Sequence, residues 1–353
     1  MWHRTFVIAL LVCLPAAFGQ PQQPPSTPPP ATAPADKADK PDISVKVQEV
    51  IVPVTVTDEK GKFVSDLEQK DFHIYDEGRL QNIGFFTRER SQPVVVGFLV
   101  DQSNAVKLNW KTYMEATSDL VLTLMPGGDK RFSGYLISYG NDAQLVVNTT
   151  QDPEKILEKL RKMKPGGGSS LFDAIYQACT TRELVKGEPF EPRRVIVIVG
   201  DGHDNSSKHT LEQVLELAQR NFFTIYAVAT TGYGMVSEGD ATLKRLAEET
   251  GGRVLNPLQD VYKDVSGYLS TPSDEGNYAL KVGTGGYSAA IASSIYKSIA
   301  AVTGEITTQY VIRYTPSIEE KSAARPFRRI EVKVELQNVK VNARKGYYPR
   351  ELQ

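Results

Sequence analysis

A chain of 353 residues that is 41% hydrophobic and 24% charged has the composition of a globular protein, with room for two or three domains. Its 41 Lys and Arg residues balance 42 Asp and Glu residues, which gives a net charge of -1. This balance argues against the basic excess with which proteins bind nucleic acids or anionic membrane surfaces.

The N-terminus has the pattern of a secretory signal peptide. Residues 6–18 form an apolar run that is about the length of a signal's hydrophobic region and too short to cross a bilayer comfortably. Small residues at Ala17 and Gly19 then offer a cleavage site before Gln20. We therefore predict a signal peptide at residues 1–19, with an uncleaved anchor as the alternative.

Residues 20–41 form a proline-rich stretch with almost no apolar side chains, which predicts an extended, semi-rigid linker. No later segment is apolar over enough residues to predict a membrane span. The protein is therefore expected to be exported to the periplasm, the cell surface or the medium. Cys13 leaves with the predicted signal, so Cys179 would have no disulfide partner in the mature chain, and its place on an apolar helical stripe predicts a buried side chain.

Residues 42–92 have the pattern of β-strands. β-branched residues predominate at 45–57, and shorter strand-like runs follow at 71–78 and 81–89. A turn at Glu77 and Gly78 separates the two shorter runs, which predicts an N-terminal β segment.

Between residues 93 and 306 the predicted strands alternate with helices. Strands are predicted at 94–101, 131–140, 143–150, 193–202 and 222–230, and helices at 110–124, 152–163, 170–185, 210–220 and 241–252. The first and fourth strands are continuous apolar runs, as expected of strands that are buried on both faces. This alternation predicts an α/β fold with a doubly wound, mostly parallel sheet.

The remainder of the chain combines a stretch without clear periodicity, a helix and more strands. Residues 256–289 are rich in glycine and serine, so we predict a long loop or insertion there. A helix is expected from Ser288 to Ile306, because isoleucine and valine recur at the spacing of a core-facing stripe. Residues 307–353 return to a β pattern. Neither β segment suits an independent domain, so the two are expected to pack together or to flank the α/β domain.

Three segments of the α/β region place polar side chains where buried elements begin or end. Asp101 and Ser103 close the first apolar strand, and Asp201 closes the fourth. Ser169 stands between a glycine loop and a helix. In a doubly wound sheet all four would meet at the carboxyl edge of the strands, where ligands bind. Two carboxylates, two hydroxyls and no nearby lysine suit a hard divalent cation, and we expect Mg²⁺, or Mn²⁺ in its place.

These segments, in this order, resemble a von Willebrand factor type A domain with its metal-ion-dependent adhesion site. That motif is Asp-x-Ser-x-Ser, then a Thr in a loop, then an Asp that begins an Asp-Gly turn. Asp101, Ser103 and Asp201 match their positions in the motif. Ser169 keeps the hydroxyl of the Thr position, whereas Ala105 replaces the second serine and removes one direct ligand.

The resemblance covers roughly residues 94–255 and implies a Rossmann-like doubly wound fold. The flanking stretches, residues 52–78 and 309–349, are similar to an exported bacterial subfamily of these domains that is frequent in acidobacterial genomes. The resemblance implies a non-enzymatic adhesion or scaffolding module. In such a module the cation keeps an open coordination position, which a carboxylate of a partner protein fills.

Two alternatives stay open. In a degenerate domain that has lost its metal, Asp101 and Asp201 would only cap turns and helix ends, and recognition would proceed without a cation. A hydrolase or phosphotransferase that uses Asp101 is less favoured, because Ser103 stands where an aspartyl phosphotransferase has its general acid. His203 is interpreted as a solvated loop residue, because no histidines in the chain have metal-ligand spacing.

Overall fold

The computed structural model describes residues 49–88, 93–181, 192–230, 237–258, 275–316 and 327–349. The predicted signal peptide and linker lie outside the described residues. The strands are β1 (Val50–Asp58), β2 (Phe72–Asp76), β3 (Arg79–Gln81), β4 (Ile83–Thr87), β5 (Val94–Asp101), β6 (Phe132–Tyr139), β7 (Ala143–Thr150), β8 (Arg193–Gly200), β9 (Phe223–Ala229), β10 (Val254–Leu255), β11 (Tyr310–Tyr314), β12 (Arg328–Val334), β13 (Val339–Ala343) and β14 (Gly346–Tyr347). The helices are α1 (Trp110–Leu124), α2 (Pro153–Leu160), α3 (Leu171–Thr180), α4 (Leu211–Arg220), α5 (Glu238–Thr250) and α6 (Glu275–Thr308), with short 3-10 helices at Gln69–Asp71 and Asn104–Asn109.

The central sheet has the strand order β10-β9-β8-β5-β6-β7, and all neighbouring pairs are parallel except β6 and β7. All eight residues of β5 are buried, because helices cover both faces of the sheet. One apolar cluster joins α3, α4 and α5 to the sheet, and the other joins α1, α2 and α6 to the opposite face. The predicted doubly wound, mostly parallel sheet is therefore confirmed.

Local signals set the ends of several helices. Asp152 caps α2 by accepting a hydrogen bond from the Glu154 amide at 3.0 Å, and Pro153 occupies the first helical position. Gly251 ends α5 with a φ of 88°, a left-handed conformation that glycine adopts at little cost. These two ends agree with the sequence-based prediction.

The N- and C-terminal β segments pack together, as the sequence predicted. One antiparallel sheet has the order β13-β1-β11-β4 and the other has the order β14-β12-β2-β3, so each sheet mixes strands from both ends of the chain. Their facing side chains form a third apolar cluster. We call these two sheets the β-sandwich.

A buried carboxylate forms hydrogen bonds with several strands of the β-sandwich. Asp76 on β2 has no exposed surface. It accepts hydrogen bonds from the hydroxyls of Tyr314 and Tyr347, both at 3.0 Å, and from Nε of Arg328 at 2.8 Å. The three donors come from β11, β14 and β12, so one residue of the N-terminal segment bonds to three strands of the C-terminal segment.

The β-sandwich packs against the central sheet at the amino ends of its strands. The Asn342 amide donates to the Gly252 carbonyl, just before β10, at 3.1 Å. The Arg344 guanidinium lies 4.9 Å from the ring centroid of Phe222, just before β9. These contacts lie on the edge opposite the carboxyl ends of the strands, so they leave the predicted cation-binding edge uncovered.

The prediction of a loop or insertion at residues 256–289 is wrong for its C-terminal part. Helix α6 begins at Glu275 instead of Ser288, and residues 259–274 lie outside the described residues. The glycines near residues 283–286 favour a loop in the sequence pattern. Glycine lowers helix propensity by about 1 kcal/mol relative to alanine without forbidding the helix, so composition alone does not end it. The predicted core stripe is confirmed, because Ile295, Ile299 and Val302 are buried against the sheet.

Candidate functional site

The four predicted site residues lie at the carboxyl edge of the central sheet. Asp101 is the last residue of β5, and Ser103 follows it at the start of a 3-10 helix. Asp201 follows the end of β8, and Ser169 precedes α3. The neighbouring strands β5 and β8 lead to helices on opposite faces, α1 and α4, so the crevice between them is the switch point where doubly wound sheets bind ligands.

The Asp101 carboxylate is buried and only half satisfied. The Ser103 amide donates to its Oδ1 at 2.7 Å, whereas Asp101 Oδ2 and the Ser103 hydroxyl have no hydrogen-bond partner among the described residues. Burial raises the pKa of Asp101 to about 6, the Ser103 amide opposes this rise, and the neighbouring Asp201 carboxylate adds to it. Oxygen atoms left in this state are the kind that a cation satisfies.

Ser169 is held by the loop that follows β8. Its amide donates to Asn205 Oδ1 at 2.9 Å, and its hydroxyl donates to the His203 carbonyl at 2.8 Å. An asparagine side chain also holds the glycine loop before Ser169, because the Gly168 amide donates to Asn141 Oδ1 at 2.6 Å. A Cβ atom on Gly168 would lie 2.4 Å from the Ser206 hydroxyl, so this close approach requires glycine.

The Asp201 carboxylate is engaged by the residue two positions later. The His203 amide donates to Asp201 Oδ1 at 3.0 Å, and the His203 ring nitrogen Nδ1 lies 3.1 Å from Asp201 Oδ2. The imidazole remains 45% exposed, while Asp201 is only 8% exposed. His203 is thus an exposed loop residue, as the sequence predicted, and it also contacts a buried carboxylate from the solvent side.

Sequence reasoning missed the residues that hold the loops together. Asn141 and Asn205 supply the amide oxygens described above, and Asp204 accepts a hydrogen bond from the Phe172 amide at 2.8 Å in the first turn of α3. All three are polar residues that follow the end of β6 or β8, which is the signal that could have found them. Their partners are distant in sequence, so the sequence did not reveal the pairing.

The donor set is made of oxygen atoms. Two carboxylates and two hydroxyls suit Mg²⁺ or Mn²⁺, which keep part of their water shell and need few protein ligands. Within the described part of the chain, no three His, Cys, Asp or Glu side chains are grouped as a metal site. Ala105 is exposed on the 3-10 helix and supplies no oxygen. The residues present therefore fit a hard cation with one protein ligand fewer than the motif provides.

Two further predictions can be compared with the structure. Cys179 is buried in the core at 3% exposure, as its place on an apolar stripe predicted. Among the described helices, none is both long enough and apolar enough to cross a membrane.

Comparison with known proteins agrees with the predicted fold. The family model of the von Willebrand factor type A domain matches residues 96–260. None of the curated proteins matches the chain.

Similar solved structures come from unrelated sources. The three N-terminal domains of the type V pili tip protein Mfa5 from Porphyromonas gingivalis match 46% of this chain and 27% of their own, with 15% identity and a TM-score of 0.31. A von Willebrand factor type A structure from Catenulispora acidiphila matches 60% of this chain and 46% of its own, with 13% identity and a TM-score of 0.39. Proximal thread matrix protein 1 from the mussel byssus, with a zinc-occupied MIDAS motif, matches 51% and 46% of the two chains, with 16% identity and a TM-score of 0.38. This chain spans less than half the length of each of these three proteins.

Proposed function

Since residues 96–260 form a von Willebrand factor type A domain, we propose that the protein is a non-enzymatic binding module that holds a divalent cation at Asp101, Ser103, Ser169 and Asp201. A carboxylate from a partner protein would complete the coordination of Mg²⁺ or Mn²⁺. We further propose that the protein is exported and serves adhesion or scaffolding outside the cytoplasm.

One observation carries this proposal. Asp101 Oδ2 and the Ser103 hydroxyl are buried without a hydrogen-bond partner among the described residues, and they lie beside a second buried carboxylate. Burial is the main reason that the pKa of Asp101 is raised, and the like charge of Asp201 adds to the rise. A bound cation would satisfy both oxygens and offset the repulsion between Asp101 and Asp201, so a positive ligand would stabilise the arrangement.

Each part of the chain has a definite task in this proposal. Asp101 and Asp201 supply the negative charge, and the Ser103 and Ser169 hydroxyls supply neutral oxygen ligands. The Asn141 and Asn205 amides fix the loop that carries Ser169. When bound, the cation supplies a positive charge that attracts an acidic side chain of the partner. The β-sandwich packs at the opposite edge of the sheet and so leaves this face open to a partner.

A metal-independent interaction domain is the second candidate. It is favoured by Ala105, which supplies no ligand, and by the Ser169 hydroxyl, which already donates to the His203 carbonyl. A hydrolase or phosphotransferase that uses Asp101 is less favoured, because the residue two positions on is Ser103 and cannot act as a general acid near neutral pH.

Thermal unfolding of the purified protein during titration with Mg²⁺ or Mn²⁺ separates these candidates. The proposal predicts a rise in Tm with cation concentration, equivalent to about 2.7 kcal/mol at one hundred times Kd. Asp101→Asn keeps the shape of the side chain but removes its charge, and should abolish the rise. Asp66→Asn makes the same change at an exposed position in the loop after β1 and should leave the rise intact.

The results distinguish the candidates directly. A rise in the wild type that persists in Asp101→Asn would place the cation elsewhere. No rise at millimolar cation would contradict the metal-dependent proposal and favour the metal-independent domain. Export has a separate test, because N-terminal sequencing of protein recovered outside the cytoplasm should begin at Gln20.

A further inference from the structure

We infer that the His203 side chain positions the Asp201 carboxylate for the cation, an inference that rests on the function proposed above. The imidazole is a positioning group in this role and is not itself a ligand. His203 lies outside the motif, in the loop that follows β8.

His203 contacts both oxygens of the Asp201 carboxylate. Its backbone amide donates to Oδ1 at 3.0 Å, and its ring nitrogen Nδ1 lies 3.1 Å from Oδ2. An ionised carboxylate can only accept hydrogen bonds, so Nδ1 carries the proton in this pair. The carboxylate is therefore held at both oxygens, and each oxygen keeps a further lone pair for a ligand.

Two glycines make room for this arrangement. Gly202 has a φ of 79°, a left-handed conformation that glycine adopts at little cost, and it turns the chain between Asp201 and His203. Gly239 lies in the first turn of α5, where a Cβ atom would lie 2.8 Å from His203 Nδ1 and 2.9 Å from the His203 amide nitrogen. The imidazole therefore packs directly against the helix, which restricts its movement away from Asp201.

The backbone of His203 also contacts a second proposed ligand. The Ser169 hydroxyl donates to the His203 carbonyl at 2.8 Å. One loop residue thus bonds to Asp201 through its amide and ring, and to Ser169 through its carbonyl. A substitution of the side chain keeps both backbone contacts and removes only the contact between the ring and Asp201.

The ring contact should matter for a cation because it restricts the carboxylate. Without the imidazole, only the backbone amide of His203 would remain as a donor from this residue to Asp201. Groups that hydrogen-bond to a ligating carboxylate fix its orientation, and their removal typically weakens metal affinity by about 10- to 100-fold. We therefore expect the affinity for the cation to depend on a side-chain donor at residue 203.

The chain provides a matched control in the same loop. His209 makes the same kind of pair with Asp173, because its Nδ1 lies 2.6 Å from Asp173 Oδ1 and its amide donates to that oxygen at 3.2 Å. Asp173 belongs to the first turn of α3 and is not among the proposed ligands. His209 therefore has the same aspartate–histidine pairing without the proposed task.

The first test compares three variants of the full chain by calorimetric titration with Mg²⁺. His203→Ala should weaken the Kd by about 10- to 100-fold, whereas His209→Ala should leave it close to the wild-type value. His203→Asn places an amide N–H donor where Nδ1 stands and should restore most of the affinity. The metal-free Tm of each variant checks that it is folded, and the rescue by asparagine separates a hydrogen bond from a general effect on packing.

The second test needs neither a cation nor a stable variant. A nitrogen–proton correlation spectrum of the imidazoles in the metal-free wild type, recorded at alkaline pH, reports which ring nitrogen carries the proton. His203 should carry it on Nδ1, and its signals are those that disappear in His203→Asn. A proton on Nε2 instead would overturn the inference, because Nδ1 would then have nothing to donate to Asp201.

The outcomes separate this inference from the proposed function. If the wild type binds Mg²⁺ and His203→Ala binds it equally well, the positioning role is overturned while the cation site stands. If His203→Ala and His209→Ala lose affinity equally, or if His203→Asn is as weak as His203→Ala, the hydrogen bond from the ring is not the cause and the inference is again overturned. If the wild type binds neither Mg²⁺ nor Mn²⁺, the proposed function fails and the inference fails with it.

Discussion

The buried Asp76 carboxylate should be a main support of the β-sandwich, and Asp76→Ala tests this. The substitution leaves the Arg328 guanidinium in a buried site without its anion, and it deprives the Tyr314 and Tyr347 hydroxyls of their acceptor. Removing one partner of a buried ion pair costs about 3–5 kcal/mol, and each stranded hydroxyl adds about 1 kcal/mol. We therefore expect the free energy of unfolding to fall by roughly 5–7 kcal/mol.

Urea unfolding followed by circular dichroism and tyrosine fluorescence measures this loss, and the midpoint should move to lower urea. Glu331→Ala removes a carboxylate from the exposed face of β12 and should change the free energy of unfolding by less than about 0.5 kcal/mol. A loss of less than about 1 kcal/mol for Asp76→Ala would refute the claim that this residue ties the terminal β segments together.

Two further predictions concern the site and the packing of α6. Ala105→Ser restores the hydroxyl that the motif expects and should tighten Mg²⁺ binding by about 10-fold in a calorimetric titration, and an unchanged Kd would show that residue 105 does not face the cation. Burial raises the pKa of Glu305 to about 7, against the opposing effect of Arg253, so the folded state holds its proton more tightly than the unfolded state. The stability that this proton confers is complete below the unfolded pKa and is lost as the pH rises through about 7. Between pH 5 and 7.5 the free energy of unfolding should therefore fall by about 2–3 kcal/mol more in the wild type than in Glu305→Gln, and parallel curves would contradict this.

The elements that the sequence predicted best are those whose patterns are locally complete. Strand β5 runs from Val94 to Asp101, as its continuous apolar run predicted, and α1 runs from Trp110 to Leu124 as its periodicity predicted. In both cases the pattern of apolar residues within the element is enough to predict that element. The start of α6 was missed because glycine-rich composition is weak evidence against a helix that the rest of the fold supports.

The residues of the candidate site were likewise predictable only in part. Asp101 and Asp201 could be found because each ends an apolar strand, and the carboxyl ends of parallel strands share one edge. Asn141 and Asn205 could not be assigned, because their hydrogen bonds with Gly168 and Ser169 depend on loops that meet only in the folded chain. The sequence pattern thus locates the two site aspartates, whereas only the tertiary structure shows which side chains hold the loops around them.

A crystal soaked in MnCl₂ and measured for anomalous scattering tests the central claim most directly. We expect one peak in the crevice between β5 and β8, within coordination distance of an oxygen of Asp101 and of the Ser103 hydroxyl. The peak should be absent from Asp101→Asn crystals treated in the same way. A wild-type crystal with no peak in this crevice, or with manganese bound only elsewhere, would contradict the account.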